Sequence, residues 1–158
     1  MHDSVRSWAA SIVWGFGLAE LPTLEVGSLD VNGGVRGLFT GEYVGIDMRP
    51  GPGVDIEMNA HALGFVDDRF DVVVCTEVLE HDPAFWQTLA EIGRVLRPGG
   101  HLILTTRGNG FMLHEFPGDL WRFMPDSGEV LAGLASCECI ESIADPQAPG
   151  IFVHGVRA

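Results

Sequence analysis

The feature that most constrains the fold is a continuous apolar stretch in the middle of the chain, FDVVVCTE, residues 70–77. Such a run, with few polar interruptions, is typical of a strand that is covered on both faces. Other strand signals are TLEVG (residues 23–27), YVGIDM (43–48), GVDIEM (53–58) and HLILTT (101–106). Helical or loop segments separate them. This alternation predicts an α/β fold with a Rossmann-like, doubly wound, mostly parallel sheet and right-handed crossovers.

Helices and two closing strands complete the predicted domain. Apolar residues repeat at helical spacing in residues 1–20, which predicts a covering helix. Residues 83–96 predict a second helix, capped by Asp82 and ended by the turn RPGG (97–100). Residues 107–126 have no clean period and predict a long loop. A short helix (127–134) and the strands CECIESIA and GIFVHGVRA follow, giving seven strands with the last one antiparallel.

Composition is that of one globular domain, which we expect to span residues 1–158. The net charge of −13 repels phosphate backbones and argues against nucleic acid as a partner. The three cysteines, Cys75, Cys137 and Cys139, fit neither a zinc site nor a disulfide framework. No apolar run reaches the ~18 residues of a membrane span. We therefore expect a cytoplasmic protein without a membrane partner, and its oligomeric state stays open.

Three polar or glycine positions coincide with the ends of predicted strands, namely Gly27, Asp47 and Glu77. In a parallel sheet the ligand lies outside the carboxyl ends of the strands, at the switch point of the strand order. Asp47 follows Gly27 by 20 residues. A carboxylate there can accept hydrogen bonds from a ribose diol, although an exposed strand-end aspartate is the simpler alternative.

The loop after Gly27 indicates the kind of cofactor. A dinucleotide fingerprint needs glycine at positions 29 and 32, where the chain has Leu29 and Asn32. Glu25 and Asp30 add negative charge, which repels a pyrophosphate and attracts a cation. S-adenosyl-L-methionine, with a ribose, a sulfonium and no phosphate, fits this loop. A nicotinamide-dependent dehydrogenase is disfavoured.

Four motifs occur in the order of a known family. They are EVG at 25–27, GID at 45–47, FDVVVCTEVLEH at 70–81 and EIGRVLRPGGHLILTT at 91–106. In these motifs residues 24–106 resemble class I S-adenosylmethionine-dependent methyltransferases of the type 11-like kind. The loop after Gly27 departs from the family's repeated-glycine form, and we interpret Gly33 and Gly34 as displaced close-approach residues.

The resemblance implies a set of cofactor-binding residues at the strand ends: Glu25, Gly27, Ser28, Asp30, Asp47, Met48, Asn59, Ala60, Thr76 and Glu77. Asn59 suits an adenine edge, and an ordinary turn residue is an equal alternative. Glu77 and Glu80, taken singly, are interpreted as helix-start charges rather than catalysts.

We expect the backbone of residues 27–34 to wrap the amino-acid tail of the cofactor. A helix would then begin close to the sheet and pack Val35, Leu38 and Phe39 inward. Gly27 has no side chain, so the chain can turn sharply and approach the ligand. On this interpretation Gly27→Val would abolish cofactor binding and leave the fold intact.

His81 and His114 are the candidate catalytic residues, because a hydroxyl acceptor must lose a proton and imidazole titrates near neutrality. A surface or capping role is the alternative for each. Glu77 and His81 are four residues apart, and Asp82, His114, Glu115 and Asp119 are potential additional metal ligands. No second Glu-x-x-His and no cysteine accompanies them, so no metal is assigned.

The predicted function is that of an S-adenosylmethionine-dependent methyltransferase (EC 2.1.1.-) that methylates an oxygen or nitrogen of a small-molecule acceptor. The loop at residues 107–125 is rich in aromatics and would form the acceptor pocket. The alternative is a non-catalytic or weakly cofactor-binding methyltransferase-like module that acts through a partner.

Overall fold

The computed structural model describes residues 3–114 and 118–158. Its centre is one sheet of seven strands in the order β3-β2-β1-β4-β5-β7-β6. The strands are β1 (Thr23–Val26), β2 (Tyr43–Asp47), β3 (Ile56–Glu57), β4 (Phe70–Thr76), β5 (Leu96–Arg107), β6 (Cys137–Ala144) and β7 (Gly150–Arg157). β7 is antiparallel to both of its neighbours, and every other pairing is parallel. The predicted mostly parallel sheet with an antiparallel last strand is confirmed.

Three α-helices flank the sheet: α1 (Asp3–Gly15), α2 (Phe85–Val95) and α3 (Gly128–Leu134). Each corresponds to a helix that the sequence predicts. The carboxylate of Asp82 accepts hydrogen bonds from the Ala84 backbone N–H (2.8 Å) and from the Thr88 hydroxyl (2.6 Å). Asp82 therefore ties down the first turn of α2, although the N-cap position itself is Ala84. Within the described ranges, no helix has both the length and the apolar character to cross a bilayer.

β4 is buried on both faces, as its unbroken apolar sequence predicts. Val73 and Cys75 point into a core that α2 and α3 cover. Val72 and Val74 point into a second core that α1 covers. All four side chains are fully buried. The strand is thus held between two apolar layers, and its carboxyl end has a fixed position in the domain.

The expectation of a helix between β1 and β2 is wrong. The crossover from β1 to β2 contains only one short 3₁₀ turn, Arg36–Leu38, although Val35 and Leu38 are buried as expected. The Asp30 carboxylate accepts a hydrogen bond from the Gly33 backbone N–H at 2.6 Å, a local turn that competes with a helix. Each glycine in this segment would also cost ~1 kcal/mol in a helix interior.

The interpretation of RPGG as a turn between α2 and β5 is also corrected. α2 ends at Val95 and β5 begins at Leu96, so these four residues lie inside the strand. Phe70 pairs with Leu96 and Val72 pairs with His101, so an advance of two positions along β4 corresponds to an advance of five along β5. The proline and glycines therefore form a bulge that shifts the register of β5. They do not form a separate turn, because α2 has already ended at Val95.

Two glycines in helices give a test of the packing. Gly93 in α2 is buried, and a Cβ added there would lie 2.5 Å from the Ala135 carbonyl oxygen. Gly93→Ala should therefore lower the free energy of unfolding by roughly 1–3 kcal/mol, because the added methyl group overpacks the contact between α2 and α3. Thermal unfolding followed by circular dichroism measures the change.

The matched control is Gly133→Ala in α3, where an added Cβ would meet no atom within 4 Å. This substitution should raise the free energy of unfolding by up to ~1 kcal/mol, the usual preference of a helix for alanine over glycine. Equal shifts for the two variants would contradict the predicted close contact at Gly93.

Candidate functional site

A cleft of about 820 Å³ opens at the carboxyl ends of β1, β2 and β4. All the residues predicted for the cofactor or for catalysis line this one cleft. They are Glu25, Gly27, Ser28, Asp30, Asp47, Met48, Asn59, Ala60, Thr76, Glu77, His81 and His114. The fold therefore brings together segments from across the first three quarters of the chain, while the role of each residue stays a prediction.

The turn after β1 forms one wall of the cleft. The backbone N–H groups of Gly27 and Ser28 both donate to the Ile46 carbonyl at 2.9 Å, which ties the turn to β2. Gly27 has φ +76°, a conformation that favours glycine. Glu25 is only 5% exposed, and this burial raises its pKa to about 7. The wall thus carries a carboxyl group that gains a charge only near neutral pH.

The expectation for Gly27→Val needs a correction. A Cβ at Gly27 would collide with the Val78 side chain, so a new side chain meets protein before it reaches any ligand. The positive φ adds backbone strain for any other residue. This substitution would disturb the turn itself, and it does not isolate cofactor binding from folding.

The loop at residues 28–34 continues along the cleft. The Asp30 backbone N–H donates to the Pro52 carbonyl at 2.8 Å, and its carboxylate holds Gly33 as described above. Gly33 has φ +89°, and neither it nor Gly34 has another atom within 4 Å of the position of a Cβ. Backbone at these two glycines is accessible to a ligand from the cleft.

The ends of β2 and β3 form the opposite wall. Asp47 is half-buried, and its Oδ1 accepts the Arg49 backbone N–H at 3.0 Å. Asn59 uses its Oδ1 to accept the His61 backbone N–H at 2.9 Å, so it is a turn residue, as one of the two interpretations expected. That bond does not involve the side-chain NH₂ group, and Asn59 also lines the cleft. The two interpretations of Asn59 are therefore compatible.

Glu77 closes the cleft at the end of β4, and the structure does not support its interpretation as a helix-start charge. Its φ is +59°, a costly conformation for a residue with a side chain. Its Oε1 accepts the Thr105 hydroxyl at 2.7 Å, and its Oε2 forms an ion pair with Arg107. Arg107 also pairs with the buried Asp145 at 3.1 Å. These contacts with β5 and with the turn after β6 hold Glu77 in place.

Glu80 does lie at a helix start, in the first turn of the short 3₁₀ helix Leu79–His81, but its side chain is fully buried. Its Oε2 accepts the Thr106 hydroxyl at 2.8 Å. Burial, and then the negative charge of Glu77, raise the pKa of Glu80 above its ordinary value.

Nearby, the rings of His81 and His114 stack with their centroids 4.7 Å apart.

Sequence reasoning did not single out Arg107, which lines the cleft together with Phe111 from the loop predicted to form the acceptor pocket. The Arg107 guanidinium lies 4.5 Å from the centre of the Phe111 ring, and the Arg107 side chain is almost fully buried. A signal was present, because an arginine directly after the apolar strand HLILTT must find partners if it is buried. Its partners come from distant segments, and the sequence alone does not reveal them.

Comparisons with known proteins agree with this geometry. Residues 35–104 match the family model described as a methyltransferase domain. A phthiotriol/phenolphthiotriol dimycocerosates methyltransferase of Mycobacterium ulcerans is 37% identical over 97 residues, which cover 54% of this chain and 36% of that protein. An uncharacterized methyltransferase of Mycobacterium marinum is 35% identical over 96 residues, which cover 49% of this chain and 37% of that protein. The matched regions thus span little more than a third of these curated relatives.

Solved structures share the fold at low sequence identity. The 1,6-didemethyltoxoflavin-N1-methyltransferase of Burkholderia thailandensis superposes with a TM-score of 0.79 at 17% identity, covering 98% of this chain and 78% of that one. The YcgJ protein of Bacillus subtilis superposes with a TM-score of 0.73 at 13% identity, covering 99% of both chains. The family match over residues 35–104 and the shared fold support a class I S-adenosylmethionine-dependent methyltransferase. The family and cofactor predicted from the motifs are confirmed at this level.

The raised pKa of Glu25 predicts how stability depends on pH. The carboxyl group is protonated in both states below about 4.5, and above that pH the unfolded state loses the proton first. Its contribution to stability is therefore fully present at low pH and is lost as the pH rises through about 7. Relative to Glu25→Gln, the wild type should lose on the order of 2–3 kcal/mol between about pH 5 and about pH 8.

Urea unfolding of the two proteins across this pH range measures the difference. Glu20→Gln, at an exposed glutamate, is the control and should run parallel to the wild type. A constant difference between wild type and Glu25→Gln at every pH would show that Glu25 does not titrate in this range.

Proposed function

We propose that this chain transfers the methyl group of S-adenosylmethionine to an oxygen or nitrogen of a small-molecule acceptor. One observation carries the proposal: the cleft combines a strand-end carboxylate, Asp47, with an acidic glycine loop where a dinucleotide fold has its phosphate cradle. The net charge of −13 and the buried Glu25 both favour a cationic cofactor over a phosphorylated one.

The parts of the cofactor can be assigned along the cleft. Asp47 would accept hydrogen bonds from the ribose diol, and Met48, Asn59 and Ala60 would flank the adenine. The loop at residues 27–34 and Glu25 would hold the amino-acid tail, whose ammonium suits a carboxylate. Thr76 and Glu77 lie at the far end, beside the methionine portion. The continuity of these residues in one cleft supports this order.

The acceptor would bind beside His81 and His114, at the end of the cleft nearest Arg107 and Phe111. Methyl transfer needs the acceptor atom in line with the sulfonium carbon, and a hydroxyl acceptor must also lose its proton. The neighbouring loop exposes Met112, Leu113 and Leu120. These side chains favour an acceptor with an apolar portion.

Two similar proteins support a small-molecule acceptor. The Burkholderia structure contains 1,6-didemethyltoxoflavin together with S-adenosylhomocysteine. The Mycobacterium ulcerans relative is named for phthiotriol and phenolphthiotriol dimycocerosates. These named compounds differ greatly, so they support the class of acceptor and not one compound.

The second candidate is a methyltransferase-like module that binds the cofactor weakly and works through a partner. The missing helix after β1 favours it, because the loop at residues 28–34 lacks the helix N-terminus that commonly supports a cofactor there. Isothermal titration with S-adenosylmethionine, S-adenosylhomocysteine and NAD separates the candidates. Saturable binding of the first two, with methyl transfer from a labelled donor in an acceptor screen, supports the enzyme, and binding of NAD alone overturns both candidates.

Asp47→Ala tests the position of the ribose. The substitution removes the acceptor of two hydrogen bonds, so the affinity for S-adenosylhomocysteine should fall about tenfold or more. Glu57→Ala is the matched control, since Glu57 is an exposed strand-end carboxylate that does not line the cleft. Calorimetry on both folded variants gives the comparison. An unchanged affinity for Asp47→Ala would remove this residue from the site.

The charge of the chain predicts its behaviour towards nucleic acid. At −13 it should form no complex with duplex DNA or structured RNA in the micromolar range, even at low salt. Filter binding at two salt concentrations is the measurement. A specific complex whose affinity falls steeply with salt would overturn the small-molecule proposal.

A further inference from the structure

Three potential metal ligands meet beside the cleft, at the end where the acceptor would bind. Glu80, His81 and His114 each offer one ligand atom, and these atoms lie within 4.8 Å of one another. His81 and His114 also line the cleft. The three residues come from two separate segments, the turn after β4 and the long loop after β5, so the fold itself creates the cluster.

Glu80 gives independent reason to expect a cation. It is fully buried, and one of its oxygens is satisfied by Thr106. The other, Oε1, is buried and has no hydrogen-bond partner within the described part of the chain. It lies 4.0 Å from His81 Nε2, on the side of the cluster. A buried carboxylate oxygen without a donor is costly, and a bound cation would remove this cost.

The tautomer of His81 suits a metal ligand. Its Nδ1 is hydrogen-bonded to the Gly118 carbonyl oxygen. A carbonyl only accepts, so Nδ1 carries a proton, and in the neutral ring Nε2 is the nitrogen with a lone pair for a metal. Metal-binding histidines are commonly held in this way, with the second ring nitrogen donating to a carbonyl or carboxylate.

His114 is the exposed member of the cluster and can complete it. Its ring stacks on His81 at an interplanar angle of 16°. Its backbone N–H donates to Asp119 at 2.9 Å, and Asp119 is paired with Arg122. These bonds anchor the backbone, and the exposed ring can reorient towards an ion shared with Glu80 and His81, which requires ligand distances of ~2.0–2.2 Å.

We propose that Glu80 Oε1, His81 Nε2 and a ring nitrogen of His114 bind a divalent transition-metal ion. One carboxylate and two imidazoles suit Zn²⁺, Mn²⁺, Fe²⁺ or Co²⁺ better than Ca²⁺ or Mg²⁺, which prefer oxygen ligands. Three protein ligands leave coordination positions open. Because two of the three residues line the cleft, those positions are accessible to an acceptor.

The proposed ion would also activate an oxygen acceptor for methyl transfer. This role of the ion rests on the proposed methyltransferase function. A hydroxyl that binds a divalent ion loses its proton to solvent more readily. The resulting oxyanion attacks the methyl carbon, an O–C bond forms, and the S–C bond breaks with its electron pair returning to sulfur. In this scheme His81 and His114 act as ligands, and neither needs to accept the proton.

Metal binding can be measured without any activity assay. The chain is freed of metal with a chelator and then titrated with Co²⁺, whose visible absorption reports coordination, and with Zn²⁺ by calorimetry. We expect one ion per chain for the wild type. Glu80→Gln and His114→Ala should each weaken binding by at least about tenfold. His101→Gln, in β5 away from the cleft, should bind as the wild type does.

Two variants are used so that the test does not depend on the folding of either one. Glu80 is buried, and if Glu80→Gln does not fold, the exposed His114→Ala decides alone. Wild-type protein that binds no ion, or a His114→Ala variant that binds like the wild type, overturns the proposal. S-adenosylhomocysteine is titrated in parallel. If the wild type binds S-adenosylhomocysteine but no ion, only the metal site is refuted. If it binds the ion but not S-adenosylhomocysteine, only the proposed function is refuted.

Discussion

The burial of β4 on both faces is the constraint on which the site depends. Phe70 and the residues from Val72 to Cys75 are fully buried, and their side chains alternate between two apolar cores. Such a strand has little room for charged chemistry along its length. The first charged side chain of this segment that lines the cleft is Glu77, directly after the strand ends at Thr76. β1 and β2 end beside it in parallel register, and the reactive groups therefore gather at one edge of the sheet.

That edge has an excess of negative charge. Glu25 and Glu77 line the cleft, and Glu80 is buried near it. The buried Arg107 pairs with Glu77 and also with Asp145. Burial raises the pKa of Glu25 and of Glu80 because each carboxylate is removed from water without a full counter-charge. A cationic ligand would supply the missing charge. The proposed sulfonium cofactor and the proposed metal ion would both draw on this excess.

The sequence was sufficient for the sheet and insufficient for the electrostatics. Apolar runs and turn residues predict strands locally, so the alternation of elements and the strand-end positions of Gly27 and Asp47 could be found. Glu80 could not, because its burial is a tertiary effect. Its backbone carbonyl accepts N–H groups from Leu120 and Trp121, about 40 residues away, and its side chain bonds to Thr106 in β5. Within TEVLEH alone, the same acid is indistinguishable from an exposed one.

The long loop after β5 is hydrogen-bonded to the turn after β4 and to the end of β5. Besides the bonds to Glu80, its Trp121 indole N–H donates to the Asp82 carbonyl at 2.8 Å, and its Phe123 N–H donates to the Arg107 carbonyl at 2.9 Å. The later part of the loop is thus fixed against the turn that carries the proposed ligands. Its earlier part includes Phe111, which lines the cleft, and the exposed apolar side chain of Met112. If the proposed function holds, the earlier part of the loop would contact the acceptor, while Glu80 and His81 are held by the later part.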